Sequence, residues 1–363
     1  MAAGFKSLSS RVVFGKGALG DLAEEAHALG CTTVLVICTG SQRAAAARAV
    51  DLLGDRAGPI FPGAAMHTPV VVTQAAMQVV EREGVDGLVA IGGGSAIGLG
   101  KAIALRTDLP QIVVPTTYAG SEMTPVLGQT EDGRKTTQRS PRVLPETVIY
   151  DTELSLSLPV ATSIVSGFNA MAHCVEALYA ESPNPMLLAV AEEGVRLMAG
   201  ALPRIVANPA DEAARSAALE AAWLGGWSLA NGGSALHHRL CHILGGAFGL
   251  PHAETHTILL PHVLAYNTPE IADALTRLSR ALDTAYPADA LFDLGKSLGA
   301  PSALKAIGMP EAAIEPVIEG LLATPGWNPR SLDEAVLKRL LRRAYAGERP
   351  RIDRGEALGG KGA

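Results

Sequence analysis

The first 150 residues alternate short β-branched apolar runs with amphipathic stretches of helical period. Runs at 12–14, 33–38, 88–91, 112–114 and 148–150 read as strands, and stretches at about 18–28, 41–53, 70–83 and 95–105 read as helices. This alternation builds βαβ units, whose crossovers cover both faces of a parallel sheet. The expected first half is therefore an α/β, doubly wound, mostly parallel sheet. The segment Glu131-Asp132-Gly133-Arg134-Lys135, between alternating polar runs, adds a β-hairpin over 126–139.

Beyond Asp151 the pattern changes to long helical periods with no clear strand and no repeat of fixed length. Helices are expected at about 159–179, 185–206, 211–230, 235–246, 252–267, 271–282, 290–298, 311–322 and 332–346. The change of period places a boundary near 151–160. It divides the chain into an α/β domain (1–155), an all-α domain (156–350) and a loosely held tail (351–363).

Composition narrows the class. A chain of 363 residues is long enough for two cores. With 39 glycines and 4% aromatic residues it suits tight strand-to-helix turns better than a β-sandwich or a disordered chain. Lysine plus arginine (30) against aspartate plus glutamate (36) gives a charge of −6 without a basic run, so no nucleic-acid partner is expected. No apolar run reaches the roughly 18–20 residues needed to span a bilayer, and the start lacks a signal pattern. A cytoplasmic protein with no membrane partner is the expectation. Cys31, Cys38, Cys174 and Cys241 lack CxxC spacing and read as buried thiols.

Two glycine- and hydroxyl-rich turns follow expected strands. In GLVAIGGGSAIGLGKAIAL, the residues Gly92, Gly93, Gly94 and Ser95 stand between strand and helix, where backbone amides can approach a phosphate. In VVPTTYAGSEMTP, the residues Thr116, Thr117, Tyr118, Gly120 and Ser121 offer small donors. Adjacent strand ends would converge on the crevice where open α/β sheets bind ligands. Tight turning without a ligand is the alternative reading of such glycines. At the tip of the 33–38 strand the chain reads Thr39-Gly40-Ser41-Gln42-Arg43, with no acid to hold a ribose and repel a 2′-phosphate, so NADH and NADPH both remain open. Arg43 and Arg142 are the candidate contacts to that ribose or phosphate.

The densest chemistry lies in LHHRLCHILGGAFGLPHAETHTILLPH, which holds six of the nine histidines. His238 and His242, four apart on an apolar helix, share one face roughly 5–6 Å apart at Cβ. His237 is expected to point elsewhere, and Cys241 to fall one position off the histidine face. Gly245-Gly246 should stop or bend this helix, and Pro251 should start another that brings His252 back beside the pair. Upstream, Asn169 and His173 are again four apart in SGFNAMAHCVEALYA. A single histidine on an apolar face is usually a hydrogen-bonded core residue, and His27, His67, His256 and His262 are read so. Paired polar residues on apolar helices would be costly without a purpose. Asn169, His173, His238, His242 and His252 are therefore the candidate catalytic set.

Taken in order, FGKGAL, AIGGGSAIGLGKAIAL, PTTYAGSEMT, LPETVIYD, SGFNAMAHCVEAL and the six-histidine stretch span about 11–262. They resemble the motifs of the iron-containing (group III) alcohol dehydrogenase family, most of all its maleylacetate-reducing branch. The resemblance implies a dinucleotide-binding domain followed by an all-helical one, the dehydroquinate synthase-like two-domain architecture, with hydride passing in the cleft between them. It places the NADH or NADPH contacts on Gly92, Gly93, Gly94, Ser95, Thr116, Thr117, Tyr118 and Ser121. The metal positions of the family fall on Asn169, His173, His238 and His252, and a further cleft histidine falls on His242.

One position departs from the family pattern: GxDAxxH has become GFNAMAH. An amide at Asn169 removes a negative charge that would offset a divalent cation. The expectation is thus an electropositive histidine pocket for a small dicarboxylate rather than a tight iron or zinc site; if a metal is held, those four residues hold it. The implied activity is NAD(P)H-dependent reduction of the carbon–carbon double bond of maleylacetate to 3-oxoadipate in aromatic catabolism. The alternatives are a metal-dependent alcohol dehydrogenase or aldehyde reductase of the same family and, less favoured, a dehydroquinate synthase-like lyase. A homodimer is the expected assembly.

Overall fold

The computed structural model describes residues 7–8, 10–132, 134–324 and 326–353. Residues 354–363 of the expected tail and Gly133 of the expected hairpin turn lie outside them. The first half runs β1 (Arg11–Gly15), α1 (Leu22–Ala28), β2 (Val34–Ile37), α2 (Arg43–Leu53), β3 (Ala57–Phe61), α3 (Val70–Glu83), β4 (Gly87–Gly92), α4 (Gly94–Thr107), β5 (Gln111–Pro115), β6 (Val126–Glu131), β7 (Arg134–Arg139) and β8 (Thr147–Asp151). Six strands form one sheet in the order β1-β8-β5-β4-β2-β3, every neighbouring pair parallel. The hairpin β6–β7 is a separate antiparallel ribbon.

Strand periodicity explains the layering. On β2 and β4, Val34, Val36, Val89 and Ile91 pack with Leu22 of α1 and Ala46 and Leu53 of α2. The alternating residues Leu35, Ile37, Leu88 and Ala90 pack with Ala76 and Val80 of α3 and Ile97 and Ile103 of α4. Each fully buried aliphatic side chain contributes roughly 1.5–3 kcal/mol, so both sheet faces are committed to helices. The sequence pattern missed β3, because Gly58 and Pro59 argue against a strand. It lies at the sheet edge, where a proline's missing N–H is tolerated.

The second half is helical: α5 (Thr152–Ser155), α6 (Val160–Ala177), α7 (Pro185–Ala207), α8 (Glu212–Gly232), α9 (Leu236–Phe248), α10 (His252–Asn267), α11 (Ala272–Ala281), α12 (Pro287–Ser297), α13 (Ile314–Ala323) and α14 (Glu334–Ala346). Helix α6 is buried from Ser163 to Ala177 and α10 from Thr255 to Asn267. Helices buried all round are central, and polar residues on them must find partners inside. Contrary to the expected stop at Gly245-Gly246, α9 continues to Phe248. It ends at Gly249, whose φ of 65° suits glycine and whose amide returns to the Gly245 carbonyl. No helix among the described residues is long and apolar enough to cross a membrane.

Candidate active site

The crevice forms at the carboxyl ends of β4 and β5. Strand β4 ends at Gly92 and α4 begins at Gly94, so the first-turn amides of a 14-residue helix open there with their partial positive charge. Gly94 has no positive φ, and a Cβ added to it meets no heavy atom within 4 Å. The fold itself therefore makes no demand for glycine at this position; a side chain would fill open space in front of the helix terminus. At Gly93 the situation differs, since a Cβ would press on Thr117 at 3.0 Å. The Thr116 amide donates to the Gly92 carbonyl at 3.0 Å, locking the two turns together. Thr116 Oγ1 and Ser121 Oγ are buried without a protein partner. An open cradle at a helix N-terminus, flanked by unpaired hydroxyls, fits a dinucleotide pyrophosphate.

Lys101, fully buried on α4, holds the second turn in place. Its Nζ donates to the carbonyls of Ser121 (2.5 Å), Thr124 (2.6 Å) and Val126 (3.0 Å). Burial pulls its pKa down to about 7, against the opposing charge of Glu122.

Two expected cofactor contacts are corrected. The Tyr118 ring is fully buried in the helical core, and its hydroxyl lies 3.3 Å from Arg215. Beyond the end of β5 the chain bends, and the Tyr118 side chain is held on the α8 side by Arg215 rather than in the crevice. Arg142 pairs with Asp108 at 3.4 Å, and its carbonyl accepts from the Gln111 side chain at the start of β5. That is the amino end of the sheet, a strand length of roughly 16 Å from the crevice. Arg43 begins α2 just beyond the tip of β2 and is exposed at the carboxyl end.

The histidines form a layered cluster. At its mouth His242 and His252 are exposed, with rings 6.2 Å apart and nearly parallel. Deeper, His173 and His238 stack at 5.1 Å. His238 and His242 are 6.2 Å apart, as their spacing of four predicted. His256 sits in the middle, 4.3 Å from His252, 4.9 Å from His238 and 6.4 Å from His173. The Asn169 amide donates to the Ala119 carbonyl at 3.1 Å and so ties the cluster to the cofactor crevice.

Two histidine readings change. His237 does not point away from the set; it forms the floor, with Nε2 3.0 Å from His256 Nδ1. His256 is a hydrogen-bonded buried residue as read, and it is also the hub of the cluster. Cys241, four residues after His237, lies beside that floor with Sγ 3.8 Å from His237 Nε2. Burial pushes its thiol well above the usual range. Among the described residues, His237, Cys241 and His256 are the trio whose ligand atoms fall within 4.8 Å of one another, and a hydrogen bond already joins the two imidazoles.

Glu176 was not singled out by the sequence reading. Fully buried on α6, its carboxylate accepts from the Ala235 amide (2.9 Å), the His237 amide (2.7 Å) and His238 Nδ1 (2.5 Å). Burial alone would raise its pKa; His238 and these donors hold it below the usual carboxylate value. The signal was available, since Asn169, His173 and Glu176 occupy positions i, i+4 and i+7 of one helix face.

Of the histidines expected to form an electropositive pocket, His173 has its charge suppressed by the fold. Burial, and then the neighbouring rings, push His173 and His256 well below the usual histidine value. Burial pulls His237 down to about 3, despite the opposing charge of Glu176. Crowded imidazoles disfavour one another's protonation, so these three are neutral near pH 7 and donate through N–H groups.

Asn169 Oδ1, His173 Nδ1 and His238 Nε2 are buried without protein partners. With His252 they would hold a divalent cation, and His238 backed by Glu176 is the carboxylate–histidine pairing found behind metal ligands. The donor set is neutral, because Glu176 is turned onto His238 and the α9 amides.

The chain is similar to known proteins along nearly its whole length. Residues 9–152 match the family model for iron-containing alcohol dehydrogenase, and residues 163–345 match the C-terminal model of the Fe-containing alcohol dehydrogenase family. The chain is 50% identical over 346 residues to a maleylacetate reductase of Burkholderia cepacia, covering 95% of this chain and 98% of that one. It is 49% identical, with the same coverage, to a maleylacetate reductase of a Rhizobium species. The crystal structure of maleylacetate reductase from Agrobacterium tumefaciens superposes with a TM-score of 0.93 at 48% identity, covering 96% of this chain and 100% of that one. The chain belongs to the iron-containing alcohol dehydrogenase family.

Proposed function

We propose that this protein is an NAD(P)H-dependent oxidoreductase that reduces the carbon–carbon double bond of maleylacetate to give 3-oxoadipate. The observation that carries the reading is the cluster of six imidazoles with Asn169, tied through Ala119 to the glycine and hydroxyl crevice. The near-full-length similarity to maleylacetate reductases supports it. In this reading residues 1–155 bind the cofactor, residues 156–350 bind the substrate, and the protein works as a homodimer.

The reaction adds one hydride and one proton. Hydride from the reduced nicotinamide attacks the alkene carbon far from the ketone, the π electrons move to the ketone oxygen, and the resulting enolate takes a proton on its carbon. His173 and His252 hold a substrate carboxylate and the ketone oxygen through their N–H groups, where donors fixed in place lower the barrier as charge develops. His242, exposed at the mouth, is placed to exchange protons with solvent and serves as the acid. The Gly92 to Ser95 turn and the Thr116 and Ser121 hydroxyls bind the dinucleotide. A divalent cation held by Asn169, His173, His238 and His252 would polarise the carbonyl. Glu176–His238 is the observation favouring that second reading, metal-dependent reduction of a carbonyl.

The test is consumption of NADH and NADPH with maleylacetate, beside a simple aldehyde and oxidation of a simple alcohol. Turnover confined to maleylacetate supports the proposal. Turnover of the aldehyde or alcohol without maleylacetate would replace it with the second reading.

A further inference from the structure

We propose that Glu176 is a positioning residue for His238, fixing the ring with its Nδ1–H on the carboxylate and turning the Nε2 lone pair into the site as an acceptor. The inference rests on the histidine cluster being the reaction site. It deepens that reading by assigning the group that sets one ring's orientation and tautomer.

An isolated buried carboxylate is costly and persists only where donors compensate it. Here the donors are the Ala235 and His237 amides, at the first turn of α9, and His238 Nδ1. Helix α9 has alanine at its N-cap and no side-chain cap of its own. A serine or aspartate at 235 would accept from the His237 amide locally without touching His238. The chain instead brings the cap from α6, three residues after His173, on a side chain that also reaches the His238 ring. One carboxylate thereby fixes α9 against α6 and holds His238 stacked on His173 at 5.1 Å. An acceptor that is only a carboxylate also fixes the tautomer. His238 must present N–H at Nδ1, and its Nε2, buried without a protein partner, is the atom left for a ligand.

The distinguishing variant is Glu176→Gln. A glutamine offers one oxygen and one NH2 group; with the oxygen kept on the His237 amide, the NH2 takes the other position and donates to His238 Nδ1, which reverses the tautomer. The ring nitrogens are read by NMR of protein labelled with nitrogen-15 histidine, the His238 signals being those lost in His238→Gln. The expected result is a protonated Nδ1 in the native protein and an unprotonated Nδ1 in Glu176→Gln. That variant should lose roughly 10- to 100-fold in kcat with maleylacetate, with KM for the nicotinamide cofactor unchanged. Glu176→Asp should keep the Nδ1 proton and recover part of kcat. An unprotonated Nδ1 in the native protein would overturn the proposal without any variant having to fold. So would a folded Glu176→Gln variant of native kcat, or equal losses in both variants with the Nδ1 proton retained. If the native protein does not reduce maleylacetate, the functional reading fails separately, while the NMR arm still decides the placement of His238.

Discussion

Replacing Gly94 with valine separates a glycine kept for the fold from one kept for a ligand. Gly94 opens α4 with no positive φ, and its added Cβ meets no atom within 4 Å. The protein without cofactor should therefore accept the change. Loss of glycine from the unfolded chain adds about 0.4–1 kcal/mol of stability, and valine does not lower helix propensity below that of glycine. With cofactor the added side chain occupies the space where the pyrophosphate meets the helix amides. Losing one charge-assisted hydrogen bond of about 1.5–3 kcal/mol weakens binding roughly 10- to 150-fold. Gly93→Val is the control, since its Cβ would press on Thr117 and should lower stability as well. The assays are fluorescence titration with NADH and denaturant unfolding of each variant. Native cofactor affinity in a folded Gly94→Val protein would remove this turn from the site, and a large loss of its stability would show that the glycine serves the fold.

With no acid in Thr39-Gly40 at the tip of β2, NADH and NADPH should have specificity constants within about tenfold, or ~1.4 kcal/mol; a preference beyond about a thousandfold for either would refute that. Activity should survive chelator treatment, because Asn169 offers a neutral oxygen; metal found at stoichiometry, with activity lost on removal and restored on return, would contradict it, and Asn169→Asp should raise metal affinity. Stability should fall in acid, because burial pulls His237 down to about 3 and His262 to about 4. Their folded values lie below the unfolded value of about 6.5, so their contribution is complete above that pH and is lost as pH falls toward the folded values. By pH 5 each costs about 2 kcal/mol, about 4 kcal/mol together, and denaturant midpoints that do not move between pH 8 and pH 5 would refute the assignment.

The residues show where the sequence is legible. Short β-branched apolar runs and the Asp-Gly turn placed every strand except β3, whose Gly58 and Pro59 hide it, and the i,i+4 rule placed His238 beside His242. That same rule also links His252 to His256 and His237 to Cys241, and packing of α9 on α10 joins both pairs to the cluster. Glu176 lies at i+7 from Asn169, one turn beyond the pair of Asn169 and His173, and its role exists only once α9 packs against α6. Arg142 and Tyr118 could not be placed from local pattern, since the route of the chain back from the hairpin and the side of Tyr118 that meets α6 and α8 depend on packing between segments far apart in sequence. The mutual suppression of imidazole charge likewise exists only once the rings are brought together.

The central claim is reduction of a carbon–carbon bond rather than a carbonyl, and the position of the transferred hydrogen decides it. Maleylacetate is reduced with nicotinamide deuterated at its hydride-donating carbon, and the product is examined by NMR and mass spectrometry. The account predicts 3-oxoadipate with its ketone intact and one deuterium on the former alkene carbon far from that ketone. A hydroxy acid carrying deuterium at the former ketone carbon, with the double bond retained, would contradict it.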